Sequence, residues 1–87
     1  MRLVFTSQGW RDYQDWQRLD RAVLKRVNRL LDDCLRDPFQ GIGKPERLKY
    51  GVPDAYSRRI TEEHRLVYVV LGDDVVVLQC RYHYSDR

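Results

Sequence analysis

The sequence has few of the residues that build metal centres or disulfide frameworks. Its 87 residues include only two cysteines and two histidines. The cysteines, Cys34 and Cys80, are far apart in the chain and belong to no Cys-x-x-Cys or Cys/His ligand spacing. We therefore expect both to be small buried hydrophobic residues. The sequence predicts neither a metal nor any other cofactor.

Long hydrophobic runs and a strong excess of one charge are also absent. No run reaches the roughly 18 apolar residues that a membrane span needs, and Met1–Phe5 leads directly into polar residues, unlike a secretory signal. We expect a soluble cytoplasmic protein with no membrane partner, folded as one domain over residues 1–87. Sixteen Lys and Arg against 13 Asp and Glu give a net charge of +3, which is compatible with a polyanionic partner but does not establish one.

The apolar pattern predicts a strand, two helices, a loop and then further strands. Leu3–Phe5 is typical of a short strand, and a cap at Thr6 or the next residue begins a helix. Asp20 caps a second helix, which must end before Pro38. Prolines and glycines over 38–55 indicate a connecting loop with one short extended piece at 47–49. Three more strands are predicted at Tyr56–Ile60, Arg65–Leu71 and Val75–Tyr82.

These elements predict an α+β fold: a small antiparallel sheet of four to five strands, with the two consecutive N-terminal helices packed on one face. In the last hairpin, pairing of Leu71 with Val75 would place Arg65 opposite Arg81 and diagonal to His83. Two cations and an imidazole on one sheet face, with no carboxylate beside them, would favour a bound phosphate.

Several surface features allow two interpretations. The basic face of the second helix is either an ordinary solvated face or a phosphate-contacting one. Its candidate contact residues are Arg21, Lys25, Arg26 and Arg29. The aromatic spacing Trp10, Tyr13 and Trp16 favours packing on the sheet over base stacking. His64 is predicted to be a solvated turn residue, and Tyr82 a core residue.

Cleavage of an RNA phosphodiester without metal requires a base for the 2′-hydroxyl, cations for the phosphate and an acid for the leaving 5′-oxygen. Glu46 lies among loop cations and is the candidate base, and His83 is the candidate acid near neutral pH. The candidate phosphate-binding cations are Lys49, Arg59 and Arg65. On spacing alone, these residues also fit a noncatalytic binding module or a structural surface cluster.

Three motifs in this order resemble the YoeB family of bacterial toxins, within the RelE/ParE toxin superfamily. They are the loop Pro38–Lys49 with its Gly-Lys-Pro-Glu sequence, the run Ser57–Tyr68 with Ser-Arg-Arg-Ile-Thr-Glu-Glu-His-Arg, and the terminal Cys80–Tyr84. The resemblance covers the chain up to Tyr84. It implies the small RelE-like fold shared with microbial ribonucleases.

The resemblance also implies an activity and roles for individual residues. A toxin of this family binds the ribosome and cuts mRNA in the A site by 2′-hydroxyl attack, leaving a 2′,3′-cyclic phosphate. By matching positions, Glu46 is the general base, His83 the general acid and Arg65 the cation on the scissile phosphate, although Glu46 and His83 could exchange roles. The supporting substrate-binding positions are Lys49, Arg59 and Tyr84.

The partners implied are a YefM/Phd-like antitoxin whose acidic C-terminal segment covers the active site, the 70S ribosome with its mRNA, and a second copy of the chain. The basic residues of the second helix are the expected ribosome contacts. Two other functions remain open: a ParE-like toxin acting on DNA gyrase, which lacks this catalytic set, and a noncatalytic RNA-binding or antitoxin-binding module.

Overall fold

The computed structural model describes residues 1–82. Its elements follow the order β1 (Arg2–Phe5), α1 (Ser7–Leu19), α2 (Arg21–Arg36), β2 (Glu46–Arg47), β3 (Tyr56–Arg59), β4 (Arg65–Leu71) and β5 (Asp74–Gln79). The strands form one sheet in the order β1-β5-β4-β3-β2. No helix within residues 1–82 is long and apolar enough to cross a membrane.

Both helices begin and end where the sequence predicts. The Thr6 hydroxyl accepts a hydrogen bond from the Gly9 N–H at 3.1 Å, which satisfies one of the unpaired amides at the start of α1. The Asp20 carboxylate does the same for the first turn of α2. Helix α2 ends at Arg36, because the residue before Pro38 is disfavoured in helical conformation.

The main core lies between the two helices and the sheet. It includes Trp16 of α1, Val27 and Leu30 of α2, and Tyr68 and Val77 of the sheet. Cys34 and Cys80 are both fully buried, so the prediction for the cysteines is confirmed. Burial also raises the pKa of the Cys34 thiol, as expected for a group whose thiolate would be desolvated.

The aromatic face of α1 is only partly buried. Trp16 is 5% exposed and lies in the core, which confirms the prediction of packing on the sheet for this residue, whereas Trp10 is 47% exposed. Trp10 contacts Phe5 of the edge strand at 5.6 Å between ring centroids. β1 is an edge strand, so among the described residues no further strand lies beside Phe5 to cover the indole.

The sheet confirms the predicted α+β architecture but is mixed. Strand β1 pairs in parallel with β5, whereas the β2–β3, β3–β4 and β4–β5 pairs are antiparallel. Parallel pairing is possible for β1 because the chain then leaves the sheet through the two helices and rejoins it at the opposite edge. The edge strand is also fixed by the ion pair between Arg2 and Asp74 at 2.8 Å.

The register of the β4–β5 hairpin differs from the prediction. Leu71 pairs with Asp74, not with Val75, because Gly72 takes a positive φ of 59° and allows a two-residue turn. The register then shifts, so that Val67 pairs with Gln79. The loop strand β2 covers Glu46–Arg47, one residue before the extended piece predicted at 47–49.

The sheet face opposite the helices, which we call the helix-free face, has a small apolar cluster of its own. Ala55, Val67 and Val69 are buried there, with Leu48 packed against them. Leu48 belongs to the loop after β2, so this loop folds over part of the helix-free face. Val76 and Leu78 of β5 also pack against this cluster.

Candidate functional site

Three of the predicted site residues lie on the helix-free face. Val67 belongs to its apolar cluster and pairs with Ser57, which in turn pairs with Glu46. Directly paired residues project to the same side of a sheet, so the Glu46 side chain projects to the helix-free face. Arg59 and Arg65 pair directly with each other, two residues along from Ser57 and Val67, and therefore project to the same face.

The Arg59–Arg65 pair places two arginines at directly opposite positions of β3 and β4. Like charges at directly opposite positions of a strand pair destabilise the sheet, because their Cβ atoms lie only about 5 Å apart. Glu46 lies two strands away from Arg65, about 10 Å across the sheet at the usual strand spacing. A phosphate between the two arginines would relieve the repulsion and lie within reach of a carboxylate.

The Arg65 guanidinium is held in a fixed position by the turn that precedes β4. Its Nη1 donates hydrogen bonds to the carbonyl oxygens of Thr61, Glu62 at 3.0 Å and His64 at 3.0 Å. Within residues 1–82, Nε and Nη2 make no hydrogen bond. One edge of the guanidinium is therefore anchored, and the other remains available to an anion.

Glu46, Lys49 and Arg59 are exposed, and their side chains have neither hydrogen bonds nor ion pairs within the described residues. The backbone of Arg59 is fixed nonetheless. Its N–H donates to the carbonyl oxygen of Gly43 at 2.7 Å, and its carbonyl accepts from Arg26 Nη2 at 3.1 Å. The charged groups are thus carried by an ordered backbone and are not used in internal ion pairs.

The loop after β2 forms an open groove beside Glu46. Residues 47–54 line a space of about 800 Å³, and Tyr50 on its rim is 86% exposed. The Leu48 N–H donates to the Ala55 carbonyl at 2.8 Å, and Arg47 pairs with Asp54. These contacts close the loop and place Lys49 on the groove wall.

Arg81 does not join the cation cluster that the sequence predicted. Its Nη1 pairs with Asp15 of α1 at 2.9 Å, and its guanidinium carbon lies 5.8 Å from the Trp16 ring centroid. The expectation of a shared face with Arg65 and no carboxylate nearby is therefore wrong, because the chain leaves the sheet after β5 and Arg81 turns toward α1. The structural partner of Arg65 is Arg59.

Two further predictions near this segment are wrong. Tyr82 is 37% exposed and not a core residue, since β5 ends at Gln79. His64 is not a solvated turn residue: its side chain is only 11% exposed, and its ring packs edge-on against Trp16 with centroids 4.8 Å apart. The predicted acid His83 and the aromatic Tyr84 lie outside the described residues, so their roles stay predictions.

The basic face of α2 is divided. Arg21, Lys25 and Arg29 are exposed, whereas Arg26 is half-buried through its hydrogen bond to the carbonyl of Arg59. Asp33 of the same helix forms an ion pair with the buried Arg58 and is only partly exposed. Within residues 1–82, no group of three His, Cys, Asp or Glu side chains could hold a metal ion.

Arg58 is the residue that the sequence reasoning missed. It is fully buried and pairs with Asp33 at 2.6 Å. Its guanidinium donates to loop carbonyl oxygens and to the Tyr68 hydroxyl: Asp37 at 2.6 Å, Gln40 at 3.1 Å, Ile42 at 3.1 Å and Tyr68 at 3.0 Å. The loop that leads to Glu46 is therefore tied to β3 from inside the protein.

The protonation states of Asp33 and Tyr68 suit their hydrogen bonds with Arg58 and with the loop. Hydrogen bonds from Arg36, from Arg58 and from the Ile42 N–H hold the pKa of the Asp33 carboxyl well below its ordinary value. Burial raises the pKa of the Tyr68 hydroxyl, which stays protonated and donates to the Pro38 carbonyl at 2.6 Å. Alternation along Tyr56–Arg59 could have revealed Arg58, because it shares the core-facing side with Tyr56.

The fold is that of the small RelE-type toxins. The toxin–antitoxin complex RelBE2 from Mycobacterium tuberculosis superposes with a TM-score of 0.70 at 22% identity, over 94% of this chain and 96% of that one. This likeness establishes the architecture alone.

Residues 5–84 match the model of the YoeB-like toxins of bacterial type II toxin–antitoxin systems. The toxin YoeB of Streptomyces coelicolor is 55% identical over 84 residues, covering 97% of this chain and 100% of the relative. A YoeB/ParE toxin from Agrobacterium tumefaciens has a TM-score of 0.92 at 48% identity, covering 97% and 100% of the two chains. The chain belongs to the YoeB family of toxins.

Structures of a relative from Staphylococcus aureus add information about assembly. They include a YoeB dimer, with a TM-score of 0.88 at 41% identity, and a YoeB–YefM complex, with a TM-score of 0.86 at 40% identity. Each superposition covers 97% of this chain and 98% of the relative.

Proposed function

We propose that this toxin is a ribosome-dependent endoribonuclease that cleaves mRNA in the ribosomal A site and so inhibits translation. The observation that carries the proposal is the juxtaposition of Arg59 and Arg65 on the helix-free face, with Glu46 in the adjoining strand. Within residues 1–82 neither cation forms an ion pair, so both charges are suited to a bound anion, and a carboxylate near a bound phosphodiester is suited to proton transfer.

The proposed reaction needs no metal. Glu46 takes the proton of the 2′-hydroxyl, the 2′-oxygen forms a bond to phosphorus, and the bond from phosphorus to the 5′-oxygen breaks. Arg65 and Arg59 stabilise the charge that develops on the non-bridging oxygens. His83 gives a proton to the leaving 5′-oxygen, and the products are a 2′,3′-cyclic phosphate and a 5′-hydroxyl. Lys49 and Tyr84 hold the flanking RNA.

Dependence on the ribosome fits the modest net charge of +3. A free nuclease must bind RNA with its own cations, whereas a ribosome-bound toxin gains affinity and orientation from contacts outside the site. The exposed cations of α2 are suited to such contacts, namely Arg21, Lys25 and Arg29, with Arg26 beside them.

Partners follow from the same charges. An acidic antitoxin segment of the YefM type would complement the Arg59–Arg65 pair and block access of RNA. The complex and the dimer of the Staphylococcus aureus relative support both partners, an antitoxin and a second copy. We further propose that the chain acts in the cytoplasm, where ribosomes are found, as one toxin domain over residues 1–87.

The test is primer extension on a defined mRNA in a purified translation system, with and without ribosomes. We expect new mRNA ends only when ribosomes are present. Glu46→Gln should lower the cleavage rate by about 10²- to 10⁴-fold, and Arg65→Gln by about 10²- to 10³-fold.

Matched controls use exposed residues away from the site. Asp32→Asn and Arg11→Gln remove the same charges from helix surfaces, and both variants should cleave like the unmodified toxin. Absence of new mRNA ends in the presence of ribosomes would contradict the nuclease proposal and direct attention to gyrase inhibition or to plain RNA binding.

A further inference from the structure

The chain segment that follows β5 is fastened to the turn before β4 by two backbone hydrogen bonds. The Tyr82 N–H donates to Nδ1 of His64 at 2.7 Å, and the Tyr82 carbonyl accepts from the Arg65 N–H at 3.1 Å. Both polar groups of the Tyr82 backbone are therefore bonded to neighbouring residues of one turn.

The His64 ring is itself held in place from several sides. The backbone carbonyl of His64 accepts hydrogen bonds from the N–H groups of Ile60 at 3.0 Å and Thr61 at 3.2 Å, and these bonds close the turn. The ring packs on Trp16 at 4.8 Å and on Tyr82 at 5.0 Å between centroids. Because Nδ1 accepts a hydrogen bond, the ring proton of the neutral imidazole must lie on Nε2, which is 3.4 Å from a Glu63 carboxylate oxygen.

Tyr82 needs this support because its backbone is unusual. Its φ is +61°, in the left-handed region that non-glycine residues rarely adopt. Such a conformation persists only where the surroundings hold it. Arg81 adds to the support, since its guanidinium carbon lies 5.1 Å from the Tyr82 ring centroid while Asp15 anchors the guanidinium.

We propose that His64 is a positioning residue: through Nδ1 it holds the backbone of Tyr82, the residue that directly precedes the proposed acid His83 in the chain. The inference rests on the proposed nuclease function, in which His83 supplies the proton to the leaving oxygen. His64 does not touch the substrate. It immediately precedes Arg65, so one turn holds both the phosphate-binding cation and the backbone of Tyr82.

The experiment distinguishes the effect of the hydrogen-bond acceptor at His64 Nδ1 from the effect of the packing of the His64 ring on Trp16. His64→Asn retains an acceptor, because the Asn side-chain oxygen occupies nearly the place of Nδ1. His64→Phe retains a ring against Trp16 but has no acceptor. All variants are compared in the ribosome-dependent cleavage assay under single-turnover conditions, at increasing toxin concentration, with thermal unfolding measured in parallel.

We expect His64→Phe to lower the maximal cleavage rate by about 10- to 100-fold, since a small misplacement of a catalytic group has an effect of this size. The toxin concentration for half-maximal rate should change little, because Glu46, Arg59 and Arg65 stay in place. His64→Asn should retain a rate within about threefold of that of the unmodified toxin, because its side-chain oxygen can accept the same hydrogen bond.

Equal maximal rates for His64→Phe and the unmodified toxin would overturn the proposal, and so would an activity that follows only the melting temperature across the variants. A toxin that makes no mRNA ends even when unmodified would instead contradict the proposed nuclease function. If His64→Phe does not fold, ¹⁵N NMR of the unmodified toxin provides the test. A proton on His64 Nδ1, or an unprotected Tyr82 amide in hydrogen exchange, would refute the hydrogen bond from Tyr82 to His64 and with it the proposal.

Discussion

Consecutive arginines on β3 provide the sharpest test of the structure. Arg58 faces the core and Arg59 faces solvent on the helix-free face, so the two substitutions Arg58→Met and Arg59→Met remove the same charge from adjacent positions. The Arg58 side chain is fully buried, and its ion pair with Asp33 is combined with bonds to three loop carbonyls. Removing one partner of a buried ion pair costs about 3–5 kcal/mol.

That loss is a large fraction of the roughly 5–15 kcal/mol by which a domain of this size is stable. For a chain of about this length, each kcal/mol lowers the melting temperature by about 4–8 °C, so Arg58→Met should melt at least about 12 °C below the unmodified protein. Arg59→Met should change the free energy of unfolding by less than about 0.5 kcal/mol, as a surface substitution does, but should abolish most of the cleavage activity.

The assay is denaturant unfolding monitored by tryptophan fluorescence, since Trp16 is buried in the core and reports on global unfolding. Thermal unfolding by circular dichroism gives the second measure. Unfolding free energies within 1 kcal/mol of each other for the two variants would refute the assignment of Arg58 to the interior and Arg59 to the surface.

Three further results are expected. Gly9→Ala should destabilise the fold by about 1–3 kcal/mol in urea titration, because a Cβ on Gly9 would lie 2.4 Å from the carbonyl oxygen of Val77; an unchanged midpoint would contradict the close packing of α1 on β5. Since Arg36 and Arg58 lower the pKa of Asp33 in the folded state, Asp33 contributes stability above the ordinary carboxyl pKa of about 4, and this contribution should fade as the pH falls below that value. The Asp33→Asn variant should show a weaker loss of stability on acidification, and parallel curves for the two proteins would exclude this origin. Trp16→Phe should cost about 1–3 kcal/mol in the same titration, since it leaves the Cys80 carbonyl without the indole N–H that donates to it at 2.8 Å; full stability would mean that water replaces the bond.

Some functional residues were accessible from the sequence through local rules. Caps, proline and apolar spacing act over a few residues, which is why both helices and their ends were predicted. The motif with Glu46 and the run with Arg59 and Arg65 indicate the family through their residue order alone, which does not depend on which residues are in contact in the folded protein. The same motifs predicted the family.

The tertiary structure decided which residues meet. The turn before β4 sets Arg65 opposite Arg59. The register shift within β4 and β5 and the ion pair of Arg81 with Asp15 of α1 keep Arg81 from lying opposite Arg65, and both involve residues that are distant in sequence. A shift of one residue exchanges the two faces of a strand, so no local pattern could settle the composition of the site.

The burial of Arg58 and His64 also could not be predicted from local sequence patterns. In the sequence, Arg58 is one of two adjacent arginines and His64 is a polar residue in a turn. Folding buries one beneath the loop that leads to Glu46 and sets the other under the backbone of Tyr82. By itself the sequence determined the helices, the strand order of the meander and the family; only the folded chain determined which charges are internal supports and which are free to meet a substrate, because burial depends on neighbours that are distant in sequence.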